Sequence, residues 1–190
     1  MDAYVEAPVV QEVSDPASDA FRTALQGAEN SVRAGYGEVH ADKWTPHVSL
    51  EGGTATLAYG HKLTDTENRT RVIKIDGQPV PIDRGLDETQ AQALYDQDVK
   101  AAQDRLRRTW PGYDGLPDKY KNVLTNISFN IGAVRPDRWP SLSKAMDAND
   151  DVGVRKEMVT SYEDANGVRQ RLSSRAQNIA DAIGLGTGAN

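Results

Sequence analysis

Eight residues separate Glu29 from Glu38, and Gly35-Tyr36-Gly37 lies just before the second of them. Glu29 ends a stretch with helical periodicity, whereas Glu38 begins one without it, so both carboxyls fall at a junction between two kinds of structure. Carboxyl groups facing each other across such a junction are the equipment of glycoside hydrolysis. One protonates the leaving oxygen while the other activates water or attacks as a nucleophile. Spacing alone is a weak signal, because the chain carries 28 acids and a solvated glutamate at a helix end is the commoner outcome.

Asp98 is placed where helix packing would not choose it. An apolar stripe runs Ala91, Leu94, Tyr95, then Asp98, then Ala102 and Leu106, so a carboxylate faces the core side, and a buried carboxylate needs a partner. His61, at the end of the Thr56–His61 strand, is the candidate. An ion pair there would pin a β-region to a long helix; the alternative is that Asp98 sits at the stripe's edge in water. Arg175 likewise interrupts the stripe Leu172, Ala176, Ile179, Ile183 and reads as structural. His40, His47 and Asp42 match no common zinc spacing, so no metal is expected. Trp110, Trp139 and Trp44 could stack on sugar rings, though aromatics in a helical lobe are more often core; Trp44, in the stretch between Glu38 and Thr56, is the fair candidate for a cleft.

These residues need elements to hold them. Residues 1–17 lack periodicity and read as an arm or linker closed by Asp15-Pro16. Helical spacing of Ala20, Phe21, Ala24, Leu25 and Ala28 predicts a helix from about 18 to 32. Residues 36–64 carry Gly52-Gly53, β-branched threonines and Leu57-Ala58-Tyr59, and read as a small antiparallel sheet. Asp76-Gly77 between Arg71–Ile75 and Gln78–Pro81 predicts a hairpin with a type I′ turn, its second strand at an edge because of Pro79 and Pro81. From Asp87-Glu88-Thr89-Gln90, a capping-box-like start, the texture is helical. Helices are expected over 88–108, 118–131, 140–148, 152–162 and 168–184. The second of these is apolar on nearly every side, as a central buried helix is. The fold class is therefore α+β.

The composition limits what such a fold could do. At 190 residues with 38% apolar side chains, the chain can bury one ordinary core. Its formal charge is -6, with nine acids and three bases in residues 1–60 and balance thereafter, which argues against a basic footprint for nucleic acid or anionic membrane. Cysteine is absent, excluding disulfides, thiolate metal sites and a cysteine nucleophile. Acids at Asp2 and Glu6 do not suit a secretory signal, and no apolar run approaches the roughly 20 residues of a spanning helix.

Four stretches occur in the order and context of the phage-type lysozymes, the endolysin muramidases of glycoside hydrolase family 24. They are Glu29 with its downstream acid; Thr56-Leu57-Ala58-Tyr59-Gly60-His61-Lys62-Leu63-Thr64, with Gly53 three residues before the threonine; Gln92 to Ala102; and Asn126-Ile127-Ser128-Phe129-Asn130-Ile131-Gly132. The chain resembles that family from about 20 to 185. The resemblance implies a two-lobed α+β fold, with a small β-lobe at about 36–86, a helical lobe at about 87–185 and a long helix joining them. Residues 186–190 would then form a tail.

On this resemblance Glu29 is similar to the general acid, Glu38 to the second carboxylate and Thr56 to the threonine that helps hold the attacking water. His61 and Asp98 match a structural ion pair. Asn130 matches a polar position on the cleft wall, beside Phe129. The implied reaction is inverting hydrolysis of the β-1,4 bond between N-acetylmuramic acid and N-acetylglucosamine in peptidoglycan, without a cofactor. The expected partner is the glycan strand, met by a monomer that binds no nucleic acid and does not insert stably in a membrane. It would be made in the cytoplasm and act in the periplasm or cell wall, delivered by a holin, a virion or a secretion apparatus.

The chain also departs from the pattern. Asn30 replaces the glycine that usually follows the catalytic glutamate, and Ala58 replaces the glycine before the strand's tyrosine, a change a strand accepts. Glu38 stands where aspartate or cysteine is usual. Seventeen residues separate Glu38 from Thr56 where the family's pattern has about five, so a dozen extra residues including Trp44 form a loop or longer hairpin beside the cleft. That insertion leaves Glu51, and less directly Asp42, as alternatives for the second carboxylate. A module that keeps the fold but has lost hydrolysis, and a virion-associated or secreted antibacterial muramidase, are the competing readings.

Overall fold

The computed structural model describes residues 16–29, 43–48, 55–163 and 169–187. Its first helix, α1, spans Pro16–Glu29. The helix thus begins at Pro16, two residues before the expected start, as suits a residue whose fixed φ is helical and whose missing N–H is not needed in the first turn. Phe21 and Leu25, one turn apart, are buried, and α1 packs against the fourth and seventh helices.

A three-stranded antiparallel sheet follows in the order β1 (His47–Val48), β2 (Ala55–Leu57), β3 (His61–Lys62). His47 pairs with Thr56, and Thr56 with Lys62. Directly paired residues share a sheet face, so these three side chains form one row across the sheet. Ala58 is not in a strand. It lies in the turn between β2 and β3 at φ 50°, a left-handed conformation that glycine adopts without penalty and alanine does not. The glycine that the sequence replaces here belongs to a turn, which corrects the strand reading of this position.

A short helix, α2 (Asp65–Thr70), is closed at its start by a capping box: the Thr64 hydroxyl accepts from the Glu67 N–H while the Glu67 carboxylate accepts from the Thr64 N–H. The hairpin of β4 (Val72–Ile75) and β5 (Gln78–Pro81) turns at Asp76 and Gly77, both at positive φ, as the type I′ expectation requires.

The long helix α3 (Glu88–Thr109) starts from Asp87, whose side chain accepts from Gln90, and runs from this β-region into a helical region. There α4 (Asp118–Ile131) is the core element, with its side chains from Asn122 to Ser128 all buried. Leu124 and Ile127 are fully buried, each worth about 1.5–3 kcal/mol of transfer free energy. Helices α5 (Pro140–Asp147), α6 (Asp151–Glu157) and α7 (Ser173–Ala182) complete this part.

Between α6 and α7 the expected helices over 152–162 and 168–184 give way to a hairpin, β6 (Ser161–Glu163) paired with β7 (Arg169–Arg171). Val159-Thr160-Ser161-Tyr162 is β-prone, and Asn166-Gly167 is a strong hairpin signal; both outweigh the helical spacing on either side. Among the described residues no helix is long and apolar enough to cross a membrane.

Candidate active site

A cleft of about 540 Å³ opens where the three-stranded sheet meets the last turn of α4 and the middle of α3, lined in part by His61, Lys62, Asp98, Arg105, Asn130 and Ser161. Three interactions tie its sides together. His61 Nδ1 lies 2.8 Å from Asp98 Oδ2, joining β3 to α3. Lys62 Nζ donates to the Asn130 carbonyl at 3.0 Å, joining β3 to α4. Arg105 Nη1 donates to the Ser128 carbonyl and hydroxyl at 3.3 and 3.2 Å, joining α3 to α4. The last carbonyls of a helix carry partial negative charge, so two cations at the end of α4 are well placed; the Ser128 carbonyl also accepts the capping Gly132 N–H at 2.9 Å.

The ion pair foreseen between His61 and Asp98 is present and has a further member, Glu67, whose carboxylate lies 3.6 Å from His61 Nε2. Burial pulls the imidazole's pKa down, but Asp98 and then Glu67 outweigh it, and the net shift is upward. For Glu67 burial acts upward, yet hydrogen bonds from Thr64 and the His61 charge bring the carboxyl below its ordinary range.

Asn130 and Phe129 both line the cleft. The Asn130 Nδ2 is buried without a hydrogen-bond partner among the described residues, an unusual state for an amide donor. Phe129 meets Tyr95 at a tilt with ring centroids 6.0 Å apart, Tyr95 meets Tyr59 edge-on at 5.7 Å, and Tyr59 packs at 4.5 Å on Trp44. This aromatic run carries the β-region onto α3 and α4.

Trp44 is at the inner end of that run and not beside the cleft. It is buried, pairs backbone to backbone with Leu86, and donates its indole N–H to Glu88 at 2.9 Å. The Tyr59 hydroxyl donates to the same carboxylate. This corrects the expectation of a sugar-stacking Trp44: the ring faces are used in packing and the polar tip is used by α3. Arg175 Nε reaches Asn126 Oδ1 at 3.4 Å, between α7 and α4, in keeping with a structural role.

Thr56 is buried on β2. Its Oγ1 lies 2.9 Å from His47 Nε2, a contact the sequence reading missed because it depends on the register between β1 and β2. Glu29 is the last residue of α1. Its side chain, and the residues Glu38, Asp42, Glu51 and His40, lie outside the described residues. Among the described residues no group of three or more histidines and carboxylates is arranged to hold a metal.

The α+β fold, with a small β-region and a larger helical part joined by α3, is that of a lysozyme-like protein. The family model for phage lysozyme matches residues 23–178, and the chain belongs to that family. It is also 27% identical over 115 residues to the peptidoglycan hydrolase gp36 of Enterobacteria phage SP6; the matched stretch is 59% of this chain and 12% of that protein. No solved structure matches the chain significantly.

Proposed function

We propose that this chain is a muramidase that hydrolyses the β-1,4 bond between N-acetylmuramic acid and N-acetylglucosamine in peptidoglycan. Family membership supports the class of reaction, and the related phage protein is a peptidoglycan hydrolase. The observation that carries the substrate is the orphaned Asn130 amide in the cleft wall. An N-acetyl carbonyl is an acceptor of the right kind for it, and every sugar of the glycan strand has one.

In this reading Glu29, at the end of α1, gives its proton to the glycosidic oxygen as the C1–O bond breaks. Glu38, with Glu51 and Asp42 as the other candidates, takes a proton from water on the opposite sugar face. Thr56 holds that water, its oxygen forms the new bond to C1, and the configuration inverts. An inverting pair stands roughly 6.5–9.5 Å apart to leave room for the water. Glu29 must hold its proton near neutrality, which partial burial in a cleft supplies.

The test is the chemistry of the cut. Purified sacculi are digested and the new reducing ends identified by mass spectrometry. The proposal expects muramic-acid reducing ends. Glucosamine reducing ends, or anhydromuramic ends formed without water, would replace it with another specificity or another reaction.

The match to a small part of a far longer phage protein favours a second reading of delivery, in which the enzyme works as part of a virion or secreted assembly. Detection of the chain in purified particles, rather than only in lysates, would support it.

A further inference from the structure

We propose that His47 is a positioning residue for Thr56, contributed by the segment that separates Glu38 from Thr56. The inference rests on the reading of Thr56 as the threonine that holds the attacking water. It begins with register: His47 on β1 is the direct partner of Thr56 on β2, so the two side chains rise from the same sheet face. The imidazole Nε2 comes within 2.9 Å of Thr56 Oγ1. On its other side Nδ1 lies 3.4 Å from the Thr45 carbonyl.

In the proposed arrangement the imidazole N–H is on Nδ1, toward the Thr45 carbonyl, and Nε2 presents its lone pair. The Thr56 hydroxyl then donates to Nε2. The alternative acceptor for that hydroxyl, the His47 carbonyl, is further away at 3.5 Å.

This has a consequence for a water at Thr56. A hydroxyl whose hydrogen is committed to the imidazole can only accept from the water. The water then donates one hydrogen to Oγ1 and keeps an oxygen lone pair for the anomeric carbon. A freely turning hydroxyl can instead donate to the water and occupy the lone pair that the reaction needs. His47 thus fixes the rotor so that the threonine orients the nucleophile. Most of the segment 39–55 is additional to the family's pattern, and here it supplies a polar residue behind the catalytic strand.

The experiment compares His47→Leu, His47→Gln, Thr56→Val and the double variant His47→Leu/Thr56→Val in the full chain, with reducing-end release from soluble peptidoglycan fragments giving kcat and KM separately. His47→Leu is expected to lower kcat about ten-fold, the size of one lost neutral hydrogen bond, while KM moves by less than about two-fold. His47→Gln, which keeps an acceptor, recovers most of the loss. In the Thr56→Val background, His47→Leu has no further effect, because there is no hydroxyl left to orient. Equal losses from His47→Leu in both backgrounds, a change confined to KM, or no change in kcat would overturn the inference. A wild-type chain that releases no reducing ends would instead overturn the muramidase reading, and this inference with it.

Discussion

His61 on β3 and Asp98 on α3 meet at 2.8 Å, with side chains 13% and 23% exposed, and this pair fastens the small sheet to the helix that spans the molecule. Such a pair lies between the exposed ones, worth about 0–1 kcal/mol, and fully buried ones, whose disruption costs about 3–5 kcal/mol. Asp98→Asn is therefore expected to destabilise the protein by about 2 kcal/mol, read by urea denaturation at pH 6.

The same pair sets a pH dependence. His61 has a folded pKa above its unfolded value of about 6.5, so the folded state binds the proton more tightly. Its stabilising contribution is full below the unfolded pKa and is lost as pH rises through the folded one. Denaturation midpoints taken from pH 6 to pH 9 should fall more steeply in the wild type than in Asp98→Asn. Parallel slopes would show that the pair does not carry the effect.

Gly85 is a second fastening point. It sits at φ 70°, and a Cβ there would come within 2.9 Å of Lys43 Cβ and the Trp44 carbonyl. Both a left-handed backbone and a close approach to the Trp44 segment call for glycine. Gly85→Ala should cost about 2 kcal/mol or more and, because the Trp44–Leu86 bridge anchors the strand that carries His47, should lower activity as well. Thermal denaturation and the reducing-end assay on one preparation check both.

The helical part has its own clamp. Tyr120, buried in α4, donates to Asp151 Oδ1 at 2.8 Å, and Lys119 Nζ reaches the same oxygen at 2.7 Å. Burial and the Asp151 charge both push the Tyr120 hydroxyl upward, so it stays protonated, while Lys119 first and then Tyr120 hold Asp151 below the usual carboxylate range. Tyr120→Phe leaves Asp151 its lysine and should cost about 1 kcal/mol. Asp151→Ala strands a buried hydroxyl and should cost about 2–3 kcal/mol, measured by the same urea titration.

The net charge of -6 predicts weak salt dependence. Long-range attraction to an anionic wall requires net positive charge, and the net charge here is negative. Turbidity loss of permeabilised cells should change by less than about two-fold between low and physiological salt. A collapse over that range would point to electrostatic capture.

Much of this structure is readable along the chain wherever one local signal acts alone. The Asp76-Gly77 turn, the capped start of α3 and the apolar run that becomes α4 each combine a period with a terminator. Asp98 is legible because a lone carboxylate in an apolar stripe needs a partner, and His61, at the end of the strand read from Thr56, is the candidate. Where local signals compete, reading fails. Val159 to Tyr162 and Arg169 to Arg171 sit between helical patterns, and the β-propensity of the first segment is decisive only with their mutual pairing. Ala58 carries no mark of positive φ, since alanine fits a strand equally well. Trp44 and His47 depend on long-range partners, Glu88 and Leu86 for one and the register with β2 for the other, and no spacing in their own segment announces either.

The most direct measurement of the central claim is digestion of purified sacculi by the wild type, Glu29→Gln, Glu38→Gln and Glu51→Gln, with binding to sacculi followed in parallel. The account predicts that Glu29→Gln binds as the wild type does but releases no reducing ends, and that Glu38→Gln is the more damaged of the other two. A Glu29→Gln protein that cuts at the wild-type rate, or a wild type that binds without cutting, would contradict it.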